Sequence, residues 1–506
     1  MTNSNPSSNG HGEKCATGVD GLDLVLNGGL PPHRFYLVQG DPGVGKTTLG
    51  LRFLIEGVKH GEAGLYITLS ETHEELLEVA VSHDWDLSKL AIFELSALEG
   101  HLAAESQNTL FHPAEVELNQ ISQVLMDEVA RVQPSRVVFD SLSELRLLAQ
   151  NPLRYRRHLL ALKQFFTGRK CTVLVMDDRT SDSSDREVQS IAHGVIRLEK
   201  MAPEYGAERR RLSVVKIRGQ QFRGGFHDYN IVPGGLQVFP RLDASKHHAE
   251  FDRGPATSGI AGLDQLLQGG LDRGTSNLIM GPPGTGKSTL GAHYAVAAAN
   301  RGENVACYTF DEKRDTFTTR ATQLGMNIAE HLESGRLRVT EVNPAELSPG
   351  EFASRIRQEV EERNVRLIVI DSLNGYLHAM PEERFLSIQL HELLSYLARM
   401  GVVSILMLAQ QGLVGSMHSP VDVTYLADTV VVLRYFEFQG GVKQAISVIK
   451  KRSGNHERTI REFQIRPDGI EVGDPLTAFH GVLSGIPNYQ GSHESMLNTD
   501  SALGRL

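Results

Sequence analysis

The sequence predicts an α/β protein of two tandem domains, each a largely parallel sheet flanked by helices. Three observations lead there. The chain has 506 residues, more than one hydrophobic core usually organises. Short β-branched runs alternate with amphipathic stretches, as in "FYLVQG", "TTLGLRFLIEGVKHG", "GLYITLS", "RVVFD", "RHLLALKQFFTGR" and "CTVLVMDD", which is the alternation of strand and helix that a parallel sheet requires. Finally, "TGVDGLDLVLNGGL" at 17–30 returns as "SGIAGLDQLLQGGL" at 258–271, a shift of 241 residues that marks a duplicated domain.

Taken in order, residues 1–14 are rich in Asn, Ser and Gly and form a loose N-terminal tail. The first domain covers 15–242. Its strand "RVVFDSL" (136–142) recurs as "LIVIDSL" (367–373), and "SVVKIRG" (213–219) recurs as "SVIKKRS" (447–453), so the landmarks keep one order in both halves. "RLSVVKIRG" and "YNIVPGGLQVF" read as late strands of a hairpin-like extension. The polar stretch "RLDASKHHAEFDRGP" breaks the periodicity, placing a linker at 243–256. A second domain over 257–484 and a flexible C-terminal tail over 485–506 complete the chain.

Bulk composition narrows the function classes. With 40% hydrophobic and 22% charged residues the chain has ordinary globular material for two cores. A net charge of −10 argues against a globally basic nucleic-acid coat. Three widely spaced cysteines, Cys15, Cys171 and Cys307, support neither a disulfide framework nor a zinc site. The N-terminus lacks an apolar signal core and no membrane-spanning apolar run occurs, so a cytoplasmic protein without membrane attachment is expected.

The chemistry begins with two glycine-rich turns, each between a short apolar strand and a helical pattern. The first holds Gly40, Asp41, Pro42, Gly43, Val44, Gly45, Lys46, Thr47 and Thr48; the second holds Gly281, Pro282, Pro283, Gly284, Thr285, Gly286, Lys287, Ser288 and Thr289. In such a turn the glycines let backbone N–H groups face phosphate oxygens, the lysine reaches the β and γ phosphates, and the Ser or Thr hydroxyl ligates Mg²⁺. The helix N-terminus adds its dipole. ATP and Mg²⁺ are therefore the expected ligands, with Thr47 and Ser288 on the metal. Asp140 and Asp371, each closing an apolar strand, are the expected carboxylates of the metal's water shell, beside the plainer reading of strand-end turn residues.

Hydrolysis also needs a group that orients water in line with the leaving phosphate. Ser70 and Glu71 end the next strand in the first half; Asp311 and Glu312 do so in the second. Glu71 and Glu312 fit that role and equally that of first-turn acids stabilised by the helix dipole.

These features, with "VVKIRG" and with "LADTVVVLRYFE" leading to "KKRSGNHERTIREF", resemble the KaiC family from about residue 15 to 484. The resemblance implies tandem RecA-like P-loop domains, a two-tiered homohexamer, ATP sites between subunits, and ATPase with serine/threonine autokinase activity, acting as a timing or signalling switch with Kai-type or signalling partners. It implies tandem Glu residues after the second strand, serving the catalytic water in the first domain and a protein hydroxyl in the second. Here Ser70 replaces the first of the first pair, and Asp311, shorter by roughly 1.5 Å, the first of the second. Lys216 and Arg218, with Lys450 and Arg452, match the residues a neighbouring subunit supplies; their plainer role is protection of a strand edge. Thr424 and Tyr425 fall at the family's phospho-acceptor positions, Ser419 being a more distant candidate and Thr424 equally a β-branched strand residue.

Two rivals remain open at this level. One is a nucleotide-dependent scaffold with little turnover. The other is a RecA-type ATPase acting on DNA, suggested by the basic "KMAPEYGAERRRLSVVKIRGQQFRGG" but lacking interleaved aromatics for stacking bases. Nucleic acid is not the expected partner.

Overall fold

The computed structural model describes residues 14–95, 113–149, 151–179, 188–202, 206–378, 386–412, 423–467, 469–483 and 487–490. The chain divides into two compact units, residues 1–241 and 242–506.

In the first unit a short helix α1 (Asp20–Val25) leads to β1 (Phe35–Gln39), α2 (Lys46–Lys59), β2 (Gly64–Thr68), α3 (His73–Ser82) and β3 (Ala91–Glu94). Then come α4 (Pro113–Val132), β4 (Arg136–Asp140), α5 (Leu142–Ala149), α6 (Pro152–Gly168), β5 (Thr172–Asp177), β6 (Gly194–Met201), β7 (Arg209–Ile217), β8 (Phe226–Val232) and β9 (Gly235–Phe239). The nine strands form one sheet in the order β3-β2-β4-β5-β1-β6-β7-β8-β9. Pairing is parallel from β3 to β6 and antiparallel from there on, so the late strands do form the expected extension. β1, β2, β4 and β5 are buried along their whole length. Their unbroken apolar runs reflect cover on both faces.

Local chemistry sets the helix ends. Thr72 and Glu75 form a reciprocal capping box that starts α3. Asn151 caps α6 ahead of Pro152, whose missing N–H costs nothing at a first turn. α2 starts from Gly45, at φ 90°, a left-handed conformation that a side chain would resist. One turn on, Gly50 lets α2 lie close to the sheet, since a Cβ there would come within 2.9 Å of Val138 and Met176.

The second unit repeats the plan. A short pair, β10 (Pro255–Ala256) and β11 (Leu271–Asp272), brackets α7 (Ala261–Leu266). The sheet strands and helices follow as β12 (Ser276–Gly281), α8 (Lys287–Asn300), β13 (Asn304–Thr309), α9 (Arg314–Gln323), α10 (Ile328–Glu333) and β14 (Leu337–Glu341). After them come α11 (Pro349–Arg363), β15 (Val365–Asp371), α12 (Leu373–His378), α13 (Leu386–Arg399), β16 (Val403–Ala409), β17 (Thr429–Phe438), β18 (Gly441–Lys451), β19 (Ile460–Arg466) and β20 (Gly469–Pro475). Sheet order, β14-β13-β15-β16-β12-β17-β18-β19-β20, matches the first unit strand for strand. Each unit carries an apolar cluster on either face of its sheet, and the second unit adds a smaller one around Phe436, Phe438 and Phe479.

Residues 243–256, polar in sequence, pack on the second unit. Ala244 is buried, its N–H donates to Glu392, His247 meets the Tyr396 ring edge-on at 5.0 Å, and Phe251 fills the space beside Gly274 and Gly401. Near the C-terminus a last short pair, β21 (Phe479–His480) and β22 (Asn488–Tyr489), holds 487–490 through Tyr489, which packs 4.9 Å from the Phe438 ring and 4.8 Å from Phe479. Residues 1–13 and 491–506 lie outside the described residues. No described helix is long and apolar enough to cross a membrane.

Candidate functional site

Both glycine turns sit at the carboxyl end of a central strand, β1 or β12, where an open parallel sheet binds ligands. In the first turn Gly40 abuts the Leu198 backbone, Val44 is buried with its carbonyl accepting from Tyr229 at 2.6 Å, Asp41 is half-buried, and Pro42 and Gly43 are exposed. The Lys46 ammonium is buried and donates to the carbonyls of Gly40 (2.8 Å) and Asp41 (3.1 Å). It also pairs with the Asp178 carboxylate at 2.8 Å. The Thr47 hydroxyl lies 3.2 Å from Glu71 and 3.4 Å from Asp140, while Thr48 turns into the core. Asp140 accepts a further hydrogen bond from Tyr66 at 2.6 Å. Thr47, Glu71 and Asp140 thus converge on one point. Burial raises the Asp140 carboxyl above its ordinary range against the Tyr66, Lys46 and Thr47 partners; burial, then the Asp140 charge, raises Glu71.

The second turn is built alike. Lys287 donates to the carbonyls of Gly281 (3.0 Å) and Pro282 (2.7 Å), and Thr285 closes the turn on Pro282 at 2.8 Å. Pro283 and Gly284 are exposed, Thr289 is buried, and Gly286, at φ 90°, opens α8. Burial raises the Asp371 carboxyl, and the nearby Ser288 hydroxyl works against that rise. The acids after β13 are arranged differently from Glu71. Asp311 accepts from the Ser372 hydroxyl at 2.6 Å, and Glu312 pairs with Arg320 of α9 at 2.7 Å. Burial raises Glu312 against that guanidinium.

The residues present fit a divalent cation shared with phosphate. Among the described residues Glu71 and Glu312 each keep one buried carboxylate oxygen without a partner, the first beside Thr47 and Asp140 and the second within range of the Asp371 charge. No described cluster of three His, Cys, Asp or Glu could hold a metal by itself.

The predicted basic pairs do not join the cradle of their own unit. Lys216 stands opposite Val195, which stands opposite Leu37; the Arg218 N–H donates to His193, whose own N–H donates to Phe35. Arg218 is therefore level with the start of β1, whereas the cradle follows its end. In the second unit the Arg452 N–H donates to Asp428, whose N–H donates to Ser276, the first residue of β12. Thr424 and Tyr425 lie at that same end. Lys450 donates to the carbonyls of Thr424 (2.9 Å) and Ala427 (2.7 Å), and Arg452 to that of Tyr425 (3.0 Å). Thr424 is half-buried and Tyr425 exposed; Ser419 lies outside the described residues.

Comparison with known proteins decides the family. The model of a family described as "ATPase: KaiC" matches residues 15–243 and again 256–477. The chain belongs to the KaiC ATPase family. It is 25% identical to the circadian clock oscillator protein KaiC of Acaryochloris marina, covering 94% of this chain and 91% of that one. It is also 25% identical to the protein of the same description from Synechococcus elongatus, over 94% and 92%. To the circadian clock protein KaiC2 of Synechocystis it is 26% identical, over 93% and 83%. The two KaiC repeats coincide with the two nine-stranded sheets, and membership of the family brings nucleotide binding with it.

Four residues that touch these KaiC-type cradles escaped sequence reasoning: Tyr66 on Asp140, Asp178 on Lys46, Ser372 on Asp311 and Arg320 on Glu312. Only Asp178 had a visible signal, the acidic pair closing "CTVLVMDD".

Burial lowers Lys287 from the ordinary lysine value of 10.5 to about 8. Between those values the unfolded chain holds a proton that the folded chain releases, so the burial penalty, fully present below pH 8, is relieved as pH rises. Phosphate binding runs the other way because it needs the ammonium. A chain carrying Lys46→Ala should bind ATP about tenfold more weakly at pH 9 than at pH 7. Equilibrium dialysis across that range checks this, and a flat profile contradicts it.

Proposed function

We propose that the chain is an ATP- and Mg²⁺-dependent ATPase whose cradles are completed by neighbouring copies in a two-tiered homohexamer. The carrying observation is the repeated displacement of Lys216 with Arg218, and of Lys450 with Arg452, to the end of the strands opposite their own cradle. Side by side, the basic end of one copy can face the cradle of the next. Val215 and Ile449, at matching positions beside these pairs, are exposed at 42% and 51%, apolar area suited to such a contact.

In this reading main-chain amides and the P-loop lysine hold the triphosphate, and the neighbour's arginine neutralises charge on the transferring phosphoryl group. Mg²⁺, when bound through Thr47 or Ser288, would neutralise charge across the phosphates. Glu71 in the first site, and Asp311 with Glu312 in the second, orient the attacking oxygen and take its proton. Glu71→Gln should lower phosphate release from the first site, and Asp311→Asn from the second, by about 10²-fold each. Loss in neither favours the scaffold reading, which gains some support from the Glu71 carboxylate lying on Thr47 and from Ser70 at the preceding position.

Thr424 is the proposed phospho-acceptor of the second ring. Its carbonyl is bonded to Lys450, so a Lys450 and Arg452 pair that reached a neighbour's γ-phosphate would bring the Thr424 hydroxyl with it. The hydroxyl oxygen would attack the γ-phosphorus, ADP would leave, and the proton would pass to Glu312 or Asp311. Mass spectrometry after incubation with Mg²⁺ and ATP should find phosphate on Thr424, absent in Glu312→Gln. Unmodified wild-type protein would contradict the kinase.

A timing or signalling role follows the relatives, which are described as circadian clock proteins. The DNA reading is weaker because much of the basic stretch is neutralised internally: Arg211 pairs with Glu199 at 2.9 Å, and Lys200 and Arg210 pair with Glu208 at 2.6 and 2.8 Å.

A further inference from the structure

The two cradles differ at the end of the strand beside the glycine turn. Gln39 stands opposite Asp177 in the first sheet, and Met280 opposite Leu408 in the second. Since Gln39 and Met280 each precede the first glycine of their turn, Asp178 and Ala409 occupy equivalent places. Asp178 bonds the P-loop lysine at 2.8 Å; Ala409 has no group that could.

The consequence lies in the donors of the ammonium. Lysine has three N–H bonds. In the first cradle they go to the Gly40 carbonyl, the Asp41 carbonyl and the Asp178 carboxylate. In the second, Lys287 makes two bonds, to Gly281 and Pro282, among the described residues. Asp178 is also fixed in place. Its second carboxylate oxygen accepts from the Ser143 hydroxyl at 3.2 Å, and the adjacent Asp177 is fully buried against Arg146 at 2.8 Å. In the second unit Asn374, the counterpart of Ser143, bonds the Ala409 backbone, at 2.7 and 3.0 Å, and no other group among the described residues.

We propose that Asp178 is a specificity-determining residue: its carboxylate stands in for the terminal phosphate on Lys46, so the first cradle discriminates against the γ-phosphate while the second does not. A triphosphate entering the first cradle exchanges one anion for another on Lys46 and leaves the displaced carboxylate beside its own γ-phosphate. A diphosphate meets a smaller penalty, having no group to place there. The first site therefore favours ADP relative to ATP more than the second does. The Asp178 side chain is 34% exposed, so water softens the repulsion and the effect is moderate.

This inference rests on the reading that both cradles bind nucleotide, and the experiment separates the two. In a full-length chain with Lys287→Ala, ATP and ADP binding to the first cradle is measured by equilibrium dialysis, with and without Asp178→Asn, which keeps an acceptor for Ser143. Asp178→Asn should tighten ATP binding about tenfold and ADP about threefold or less. In a Lys46→Ala chain, Ala409→Asp should weaken ATP about tenfold at the second cradle. Unchanged or weaker ATP binding in Asp178→Asn, or equal gains for ATP and ADP, overturns the inference alone. Failure of the Lys287→Ala chain to take up either nucleotide, with no rescue by Asp178→Asn, overturns the nucleotide reading of the first cradle as well.

Discussion

Replacing Lys46 and Lys287 together by alanine should weaken ATP binding about 10- to 100-fold at both cradles. Both ammonium groups are buried at the foot of a glycine turn, at 9% and 8% exposure, where water screens them little. Each already points back at the carbonyls of its own loop, so the positive charge is held in place before any ligand arrives. Losing about 1.5–3 kcal/mol of charge-assisted bonding, along with the only cation inside each turn, leaves main-chain amides alone to hold the phosphates. Both lysines open their helices, where alanine is well tolerated, so circular dichroism should register an intact fold. Unweakened uptake in that double variant contradicts the nucleotide assignment outright.

The second large effect belongs to the arginines. Arg218→Ala with Arg452→Ala should cut phosphate release about 10³-fold while changing nucleotide affinity about threefold or less. A group that acts on charge developing during transfer affects the rate far more than ground-state binding. Arg452 is 54% exposed and its contact with Asp428, at 3.7 Å, is loose, so truncation leaves no buried charge without a partner. That arrangement separates the catalytic reading from edge protection: a strand-edge charge would alter solubility and leave turnover intact.

Much of the architecture was legible in the chain because duplication doubled every signal. A lone glycine turn or a strand ending in Asp is a weak mark, but Gly40 with Asp140 and Gly281 with Asp371 recur in the same order within matching strand patterns. The polar stretch 243–256 read as a connector because periodicity fails there. Its contacts with the second unit depend on single residues, Ala244, His247 and Phe251, which carry no pattern. The site was legible at the level of the phosphate cradle and not at the level of who pairs with whom. Arg320, on the second turn of α9, reaches back to Glu312 ahead of that helix, whereas Val79, its counterpart 241 residues earlier, offers Glu71 nothing, which leaves that acid to Thr47. Such pairings depend on side-chain direction in three dimensions, which spacing along a chain does not encode.

The central claim is that a working site is assembled from two copies, one giving the cradle and the other the arginine. Mixing tests it directly. A chain with Lys46→Ala and Lys287→Ala lacks cradles and keeps its arginines; a chain with Arg218→Ala and Arg452→Ala has the reverse. Each alone should be inactive. Co-expressed in equal amounts, they should recover about one quarter of wild-type phosphate release, the share of random interfaces joining an intact cradle to an intact arginine. Mixtures no more active than their components would contradict the shared site.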